Sequence, residues 1–132
     1  MPVYFTRPAF LRRAVDSVLS QLYSNRELCL ADDASSNPEV RTILDDYARR
    51  DRRIKLVYRN QNSHISAASN SALELVTGEF VALMDHDDEL TVHALYMVAV
   101  ELNAHPNANI IYSDEDKIDG RSCRSEPHFK TD

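Results

Sequence analysis

Glycine is scarce in this sequence, with only Gly78 and Gly120 among 132 residues. A phosphate-binding loop of the Walker or G-x-G-x-x-G type needs several closely spaced glycines, because its backbone turns tightly and closely approaches the phosphates. The scarcity therefore excludes the usual dinucleotide-binding and P-loop classes.

Several other features are also missing. No apolar run approaches the length of a membrane span, and Met1 is not followed by the basic and apolar regions of a signal peptide. Cys29 and Cys123 have no metal-ligand or redox spacing, and a net charge of −6 argues against binding a nucleic-acid backbone. We therefore expect a cytoplasmic protein with no nucleic-acid partner. Peripheral attachment to the inner face of the plasma membrane stays open.

Apolar segments of strand length alternate with amphipathic segments of helix length. This alternation predicts an α/β fold in a single domain over residues 1–132, with a doubly wound, mostly parallel, Rossmann-like sheet and helices on both faces. Strands are predicted at 2–5, 27–31, 54–58, 79–84 and 109–112. Helices are predicted to start at Pro8 and Pro38 and to cover 64–76, which Gly78 would terminate, and 91–104. Asp119-Gly120 predicts a hairpin turn.

Acidic residues follow three of the predicted strands. They are Asp32-Asp33, the cluster from Asp85 to Glu89, and the run 114–116. Loops after parallel strands emerge at one edge of a sheet, where ligands bind. Solvated acidic loops would explain two of the three clusters, but all three together favour a site. Carboxylates and substrate phosphates are the ligands that Mg²⁺ or Mn²⁺ prefers, so we expect a metal-assisted phosphate or nucleotide site.

Taken in order, these motifs resemble the nucleotide-binding half of family 2 glycosyltransferases, which have the GT-A fold. The later motifs look most like the bacterial branch that builds O-antigen and other surface polysaccharides. The segments that carry the resemblance are Pro2-Val3-Tyr4, Ala31-Asp32-Asp33-Ala34-Ser35, Ile65-Ser66-Ala67-Ala68-Ser69-Asn70, Asp85-His86-Asp87-Asp88 and Tyr112-Ser113-Asp114-Glu115-Asp116.

The resemblance implies roles for these residues in binding the donor, a UDP- or dTDP-linked sugar. Asp32 or Asp33 would hydrogen-bond the base. The D-x-D element would place Asp85 towards the ribose and Asp87 on Mn²⁺ or Mg²⁺, with Asp88 assisting at the metal. The first loop, which would lie along the base, comprises Pro2, Val3 and Tyr4.

Other residues have weaker assignments. His86 would contact a phosphate or a sugar, or is simply a loop histidine. Asn70 is the best binding candidate in its helix, whose small residues otherwise serve close packing. Asp114 and Glu115 would line the side of the sugar or of a saccharide or lipid-linked acceptor, or are surface acids.

The sequence also departs from the family pattern. Compared with that pattern, most of the first strand and the acceptor half are lacking, so we expect a fold truncated at both ends, with the catalytic base unknown. Donor binding with weak or no hexosyl transfer is therefore expected, unless a partner chain or dimer completes the site. Ser63 lies near a usual glycine, which predicts strain there. The alternatives are a non-catalytic nucleotide-binding module of the same fold and, remotely, a receiver-like signalling domain.

Overall fold

A computed structural model describes residues 1–130. The contacts form two units, one covering Met1–Met97 and a second that begins at Val98. The first unit is built on a three-stranded parallel sheet in the order β1-β2-β3. Its strands are β1 (Pro2–Val3), β2 (Leu28–Asp32) and β3 (Ile54–Tyr58).

Two helices cover one face of this sheet. They are α1 (Pro8–Leu19) and α2 (Pro38–Arg50), and each begins with a proline, which suits a first turn. The Asn37 side chain caps α2 by accepting a hydrogen bond from the Glu39 N–H at 2.9 Å. The apolar residues of both helices pack with alternate residues of the strands. This core comprises Val3, Leu11, Val15, Val18, Leu28, Leu30, Val40, Ile43, Leu44, Tyr47 and Ile54.

The opposite face of the sheet is covered by α3 (His64–Leu73). Here Cys29 and Ala31 of β2 form a second buried cluster with Ala72. Successive residues of a strand point to opposite faces, so β2 contributes to both cores. The predicted α/β fold, with a parallel sheet and helices on both faces, is confirmed.

The strand predicted over residues 79–84 is wrong: this segment is irregular, and Phe80, Val81 and Leu83 are exposed. A strand forms only beside backbone groups with which it can pair. β1 is two residues long, and one of them, Pro2, has no N–H to donate. Residues 79–84 pair with no strand of the described sheet, so their apolar pattern alone does not make a strand.

Helix boundaries also differ from the predictions. The α3 helix ends at Leu73 with Glu74 as its C-cap, so Gly78 does not terminate it. The next helix, α4 (Ala94–Ala104), starts three residues later than predicted. The preceding segment is instead hydrogen-bonded to the end of α1. Gln21 Nε2 donates to Thr91 O at 2.7 Å, and the Leu22 N–H donates to Val92 O at 2.9 Å.

In the second unit, β4 (Glu115–Ile118) and β5 (Arg124–His128) form an antiparallel hairpin. The Asp119 N–H donates to Cys123 O at 3.0 Å, which confirms the turn predicted at Asp119-Gly120. The strand predicted over 109–112 is wrong, because extended pairing starts only at Glu115. Within the described residues, no helix is long and apolar enough to cross a membrane.

Candidate functional site

A cavity of about 520 Å³ opens in the first unit. It lies where β1 and β2 end, the edge at which α/β sheets bind ligands. Such a volume suits a small molecule. Its wall comprises Pro2, Tyr4, Asp33, Asn62, His64, Ile65, Ala68, Asp85, His86 and Asp87. Acidic residues from two of the three clusters, Asp33 and Asp85 with Asp87, therefore line one cavity. The third cluster belongs to the second unit, so the predicted convergence of all three is not seen in this cavity.

Asp33 is the buried acid of the cavity, with only 1% of its surface exposed. Its backbone N–H donates to Val3 O at 2.9 Å, which extends the pairing of β1 with β2 by one residue. Its carboxylate accepts from Arg59 Nε at 2.8 Å and from the Ser63 N–H at 3.1 and 3.2 Å. These contacts fix the carboxylate between the end of β3 and the start of α3.

Asp32 is buried as well, but it is used differently. Its carboxylate accepts from the Ser35 N–H at 3.3 and 3.4 Å, within its own loop. It does not line the cavity. Of the two aspartates that the sequence left open, Asp33 is therefore the one that faces the cavity.

The second acidic cluster forms an exposed turn at the rim. The Asp88 N–H approaches Asp85 O at 3.4 Å, and the side chains of Asp85, His86 and Asp87 all line the cavity. Just after the turn, the Leu90 N–H donates to Ser17 Oγ at 3.1 Å. This bond fixes the end of the turn against α1.

The rim of the cavity includes two acidic residues, Asp85 and Asp87. Within residues 1–130, no group of three or more histidine, cysteine or acidic side chains is arranged to hold a metal ion by itself. Asp88 is exposed and does not line the cavity. Asp85 and Asp87 therefore form a two-carboxylate set. Mg²⁺ commonly completes such a set with substrate phosphates and water.

Of the five described non-glycine residues with positive φ, three line or adjoin the cavity, and the other two, Ser122 and Glu126, lie in the second unit. Phe5, Ala34 and His64 have φ angles of 48°, 60° and 67°, a region that residues other than glycine seldom adopt. Phe5 and Ala34 directly follow wall residues, and His64 is one. Ser63 has a φ of −139°, so the strain predicted at Ser63 falls on its neighbour instead.

The remaining predicted site residues lie elsewhere. Val3 is fully buried in the core, and Asn70 is exposed and outside the cavity wall. Asp114 and Glu115 belong to the second unit. There the Asp114 carboxylate accepts from the Lys130 N–H at 2.9 Å, and Glu115 pairs with Lys130 Nζ at 2.9 Å.

Sequence reasoning missed part of the wall. Asn62, His64 and Ile65 had no assigned binding role, although they line the same cavity as Asp33. Arg59, which pairs with Asp33, was missed too. Its position directly after β3 was the available signal, because residues at strand ends converge on this edge.

Comparison with known proteins decides the family. The model of glycosyl transferase family 2 matches residues 1–124, which is nearly the whole chain. The chain belongs to this family. The receiver-like alternative is thereby set aside.

The chain is similar to segments of longer bacterial proteins. It is 50% identical over its full length to the uncharacterized protein y4gI of Sinorhizobium fredii, and it covers 14% of that protein. It is 37% identical over 99% of its length to the O-antigen biosynthesis protein RfbC of Myxococcus xanthus, and it covers 10% of that protein. The chain thus spans a small fraction of these relatives.

Solved structures agree on the fold. The chain superposes on S. aureus TarS 1-349 in complex with UDP-GlcNAc with a TM-score of 0.73 and 24% identity. This match covers 80% of the chain and 30% of the TarS structure. Together with the family, it establishes the predicted GT-A architecture.

Proposed function

We propose that the chain is the donor-binding part of a metal-dependent glycosyltransferase that uses a nucleotide-diphosphate sugar in polysaccharide synthesis. The observation that carries the proposal is the cavity, where a buried aspartate and a rim of two carboxylates face the same space. The relatives support the class of product, since one is named for O-antigen biosynthesis and another for teichuronic acid biosynthesis. The TarS complex supports the class of donor.

The inner wall suits the base. Asp33 is an acceptor that is held in place by its own hydrogen bonds, and a uracil or thymine ring offers an N–H to such a group. Tyr4 is half exposed in the same wall and offers an aromatic face along which a base can lie. Pro2 completes this side of the cavity.

The rim suits the pyrophosphate only if a cation is present. Asp85 and Asp87 alone would repel an anionic donor, but with a divalent cation the sign of the local field reverses. Their oxygens are the ligand type that Mn²⁺ or Mg²⁺ prefers, so the residues fit the ion. When bound, the ion would stabilise the negative charge that develops as the nucleoside diphosphate departs.

The remaining roles follow the sequence motifs. His86 separates Asp85 and Asp87 in the sequence and lines the cavity, so it is the residue that would contact a phosphate or the sugar. We keep Asp88 as an assisting ligand and Asn70, Asp114 and Glu115 as contacts on the sugar or acceptor side, to be tested by substitution. The described residues offer no candidate for the base that would activate an acceptor hydroxyl, so catalysis is proposed for the longer protein or with a partner chain.

Direct binding tests this proposal. UDP and dTDP, titrated calorimetrically into the chain with Mn²⁺, should bind with micromolar to millimolar affinity, whereas ADP should bind more weakly. Incubation with UDP-GlcNAc then shows whether the chain alone turns over the donor. Release of UDP indicates an active enzyme, whereas binding without release fits both forms of the proposal, a donor-binding part that needs a longer protein or a partner and a non-catalytic module of the same fold. Failure of a folded sample to bind UDP or dTDP would refute both forms.

A further inference from the structure

Arg59 connects three parts of the cavity wall. Its backbone N–H donates to Asp32 O at 2.9 Å, and its Nε donates to Asp33 Oδ1 at 2.8 Å. Its Nη1 donates to Ala67 O at 3.0 Å and also contacts Ser71 Oγ. The guanidinium therefore links the end of β2 to the middle of α3.

The contacts on Asp33 determine what it offers a ligand. Oδ1 accepts from both Arg59 Nε and the Ser63 N–H, whereas Oδ2 shares only the Ser63 N–H, at 3.1 Å. Oδ2 is therefore the oxygen with room for a further donor. The Asp33 side chain is 2% exposed and that of Arg59 is 22% exposed, so the pair is shielded from bulk water.

The charge of Arg59 fixes the hydrogen-bonding character of this oxygen. Arg59 Nε and the Ser63 N–H both donate to this carboxylate, so its oxygens act as acceptors, and the positive charge of Arg59 holds the carboxylate in that orientation. An acceptor-only oxygen favours uracil or thymine, whose ring N3 carries a proton. It disfavours cytosine, whose N3 has a lone pair.

We infer that Arg59 is a positioning residue that sets the base specificity of the donor site, by holding Asp33 as an acceptor-only carboxylate aimed at an imide N–H. This inference rests on the proposed donor site and adds a residue that determines which nucleotide enters it. Arg59 acts through Asp33 and does not line the cavity itself.

The test is the ratio of the dissociation constants for CDP and UDP, measured with Mn²⁺ on the wild-type chain and on Arg59→Gln. In the wild type, the CDP/UDP ratio of dissociation constants should be about tenfold or more. The reason is that the N3 lone pair of cytosine would face the Asp33 carboxylate without a hydrogen bond. In Arg59→Gln the ratio should fall to about threefold or less. A purely structural role would weaken both nucleotides and leave the ratio unchanged, which would overturn the inference.

Arg59→Lys is the matched variant. It keeps the positive charge but loses the planar guanidinium whose donors join Asp33 to α3. It should bind UDP less tightly while keeping the CDP/UDP ratio. If Arg59→Gln fails to fold, Arg59→Met, another uncharged variant, takes its place with the same expected ratio. A ratio that collapses in Arg59→Lys contradicts the role of the charge. Equal binding of UDP and CDP by the wild type would overturn the inference and leave the donor site standing. Failure of the wild type to bind either nucleotide would refute the donor site, and the inference with it.

Discussion

His64 combines an unusual backbone conformation with a place in the cavity wall. Its φ of 67° lies in the left-handed region, which costs a residue with a Cβ about 1–2 kcal/mol. Histidine tolerates this region better than β-branched residues do. The packing of α3 against β2 must offset that cost, and the strain lies beside Asp33, where the ligand is proposed to bind.

Substitution of His64 should reveal this strain. His64→Val should lower the free energy of unfolding by about 1–2 kcal/mol, because a β-branched side chain fits poorly at positive φ. His64→Gly should change it by less than about 0.5 kcal/mol, since relief of strain offsets the entropy lost by glycine. Urea unfolding of both variants measures the difference. Equal stability of the valine and glycine variants would contradict the account.

Among the elements, β2 and residues 79–84 show what the sequence can and cannot determine. β2 was predicted almost to the residue, because a buried strand between two neighbours needs an apolar run and has one. The segment 79–84 has an equally apolar pattern. Whether it forms a strand depends on pairing with another part of the chain, which local sequence does not encode. The cavity followed the same rule. Asp33, Asp85 and Asp87 were predictable from the ends of their segments. Arg59 also directly follows a strand, but its pairing with Asp33 could be seen only in the fold.

Two leucines should therefore respond very differently. Leu83 is 84% exposed, so Leu83→Asp should change the free energy of unfolding by less than about 0.5 kcal/mol. Leu30 is fully buried in β2, and Leu30→Ala should cost about 2–5 kcal/mol. Thermal and urea unfolding provide both values. A large loss in Leu83→Asp would mean that residues 79–84 form a buried strand after all.

A second element-level prediction concerns Glu27, just before β2. The hydrogen bond from Lys55 and that from the Thr77 N–H hold the pKa of Glu27 at about 2, below its usual 4.5. A lowered pKa in the folded state means that the ionised form stabilises the fold above pH 4.5. This stabilisation is lost as the pH falls from 4.5 through 2.

The stability difference between wild type and Glu27→Gln should therefore be largest near pH 7 and shrink steadily below pH 4.5. Unfolding measured across this pH range tests it, with Glu74→Gln, an exposed acid at the end of α3, as the control. A difference that is constant with pH would show that the Lys55 pairing contributes no pH-dependent stability.

Across the whole molecule, burial differs sharply between the two units. The first contains two buried clusters on either side of its sheet. In the second, β5 is fully exposed, and its pairing with β4 is accompanied by exposed ion pairs such as Lys117–Glu126. Exposed ion pairs contribute little to stability, and a lone two-stranded hairpin is marginal in water.

Hydrogen exchange should follow this division. The amides of Leu30 and Leu56 should exchange at least about a hundredfold more slowly than those of Lys117 and Ser125, because opening the core requires far more free energy than opening the hairpin. Exchange of the hairpin amides at the rate of the core would indicate that both units unfold together.

We propose that the two rim carboxylates, Asp85 and Asp87, bind a divalent cation together with the donor. Calorimetric titration of UDP with and without Mn²⁺ tests it on the wild type, on Asp87→Ala and on Asp46→Ala. The last removes the same charge from α2, outside the cavity wall. We predict Mn²⁺-dependent binding that Asp87→Ala weakens about tenfold or more and Asp46→Ala leaves unchanged. If folded protein binds UDP with the same affinity with and without Mn²⁺, and Asp87→Ala binds as tightly as the wild type, the proposed cation site is wrong.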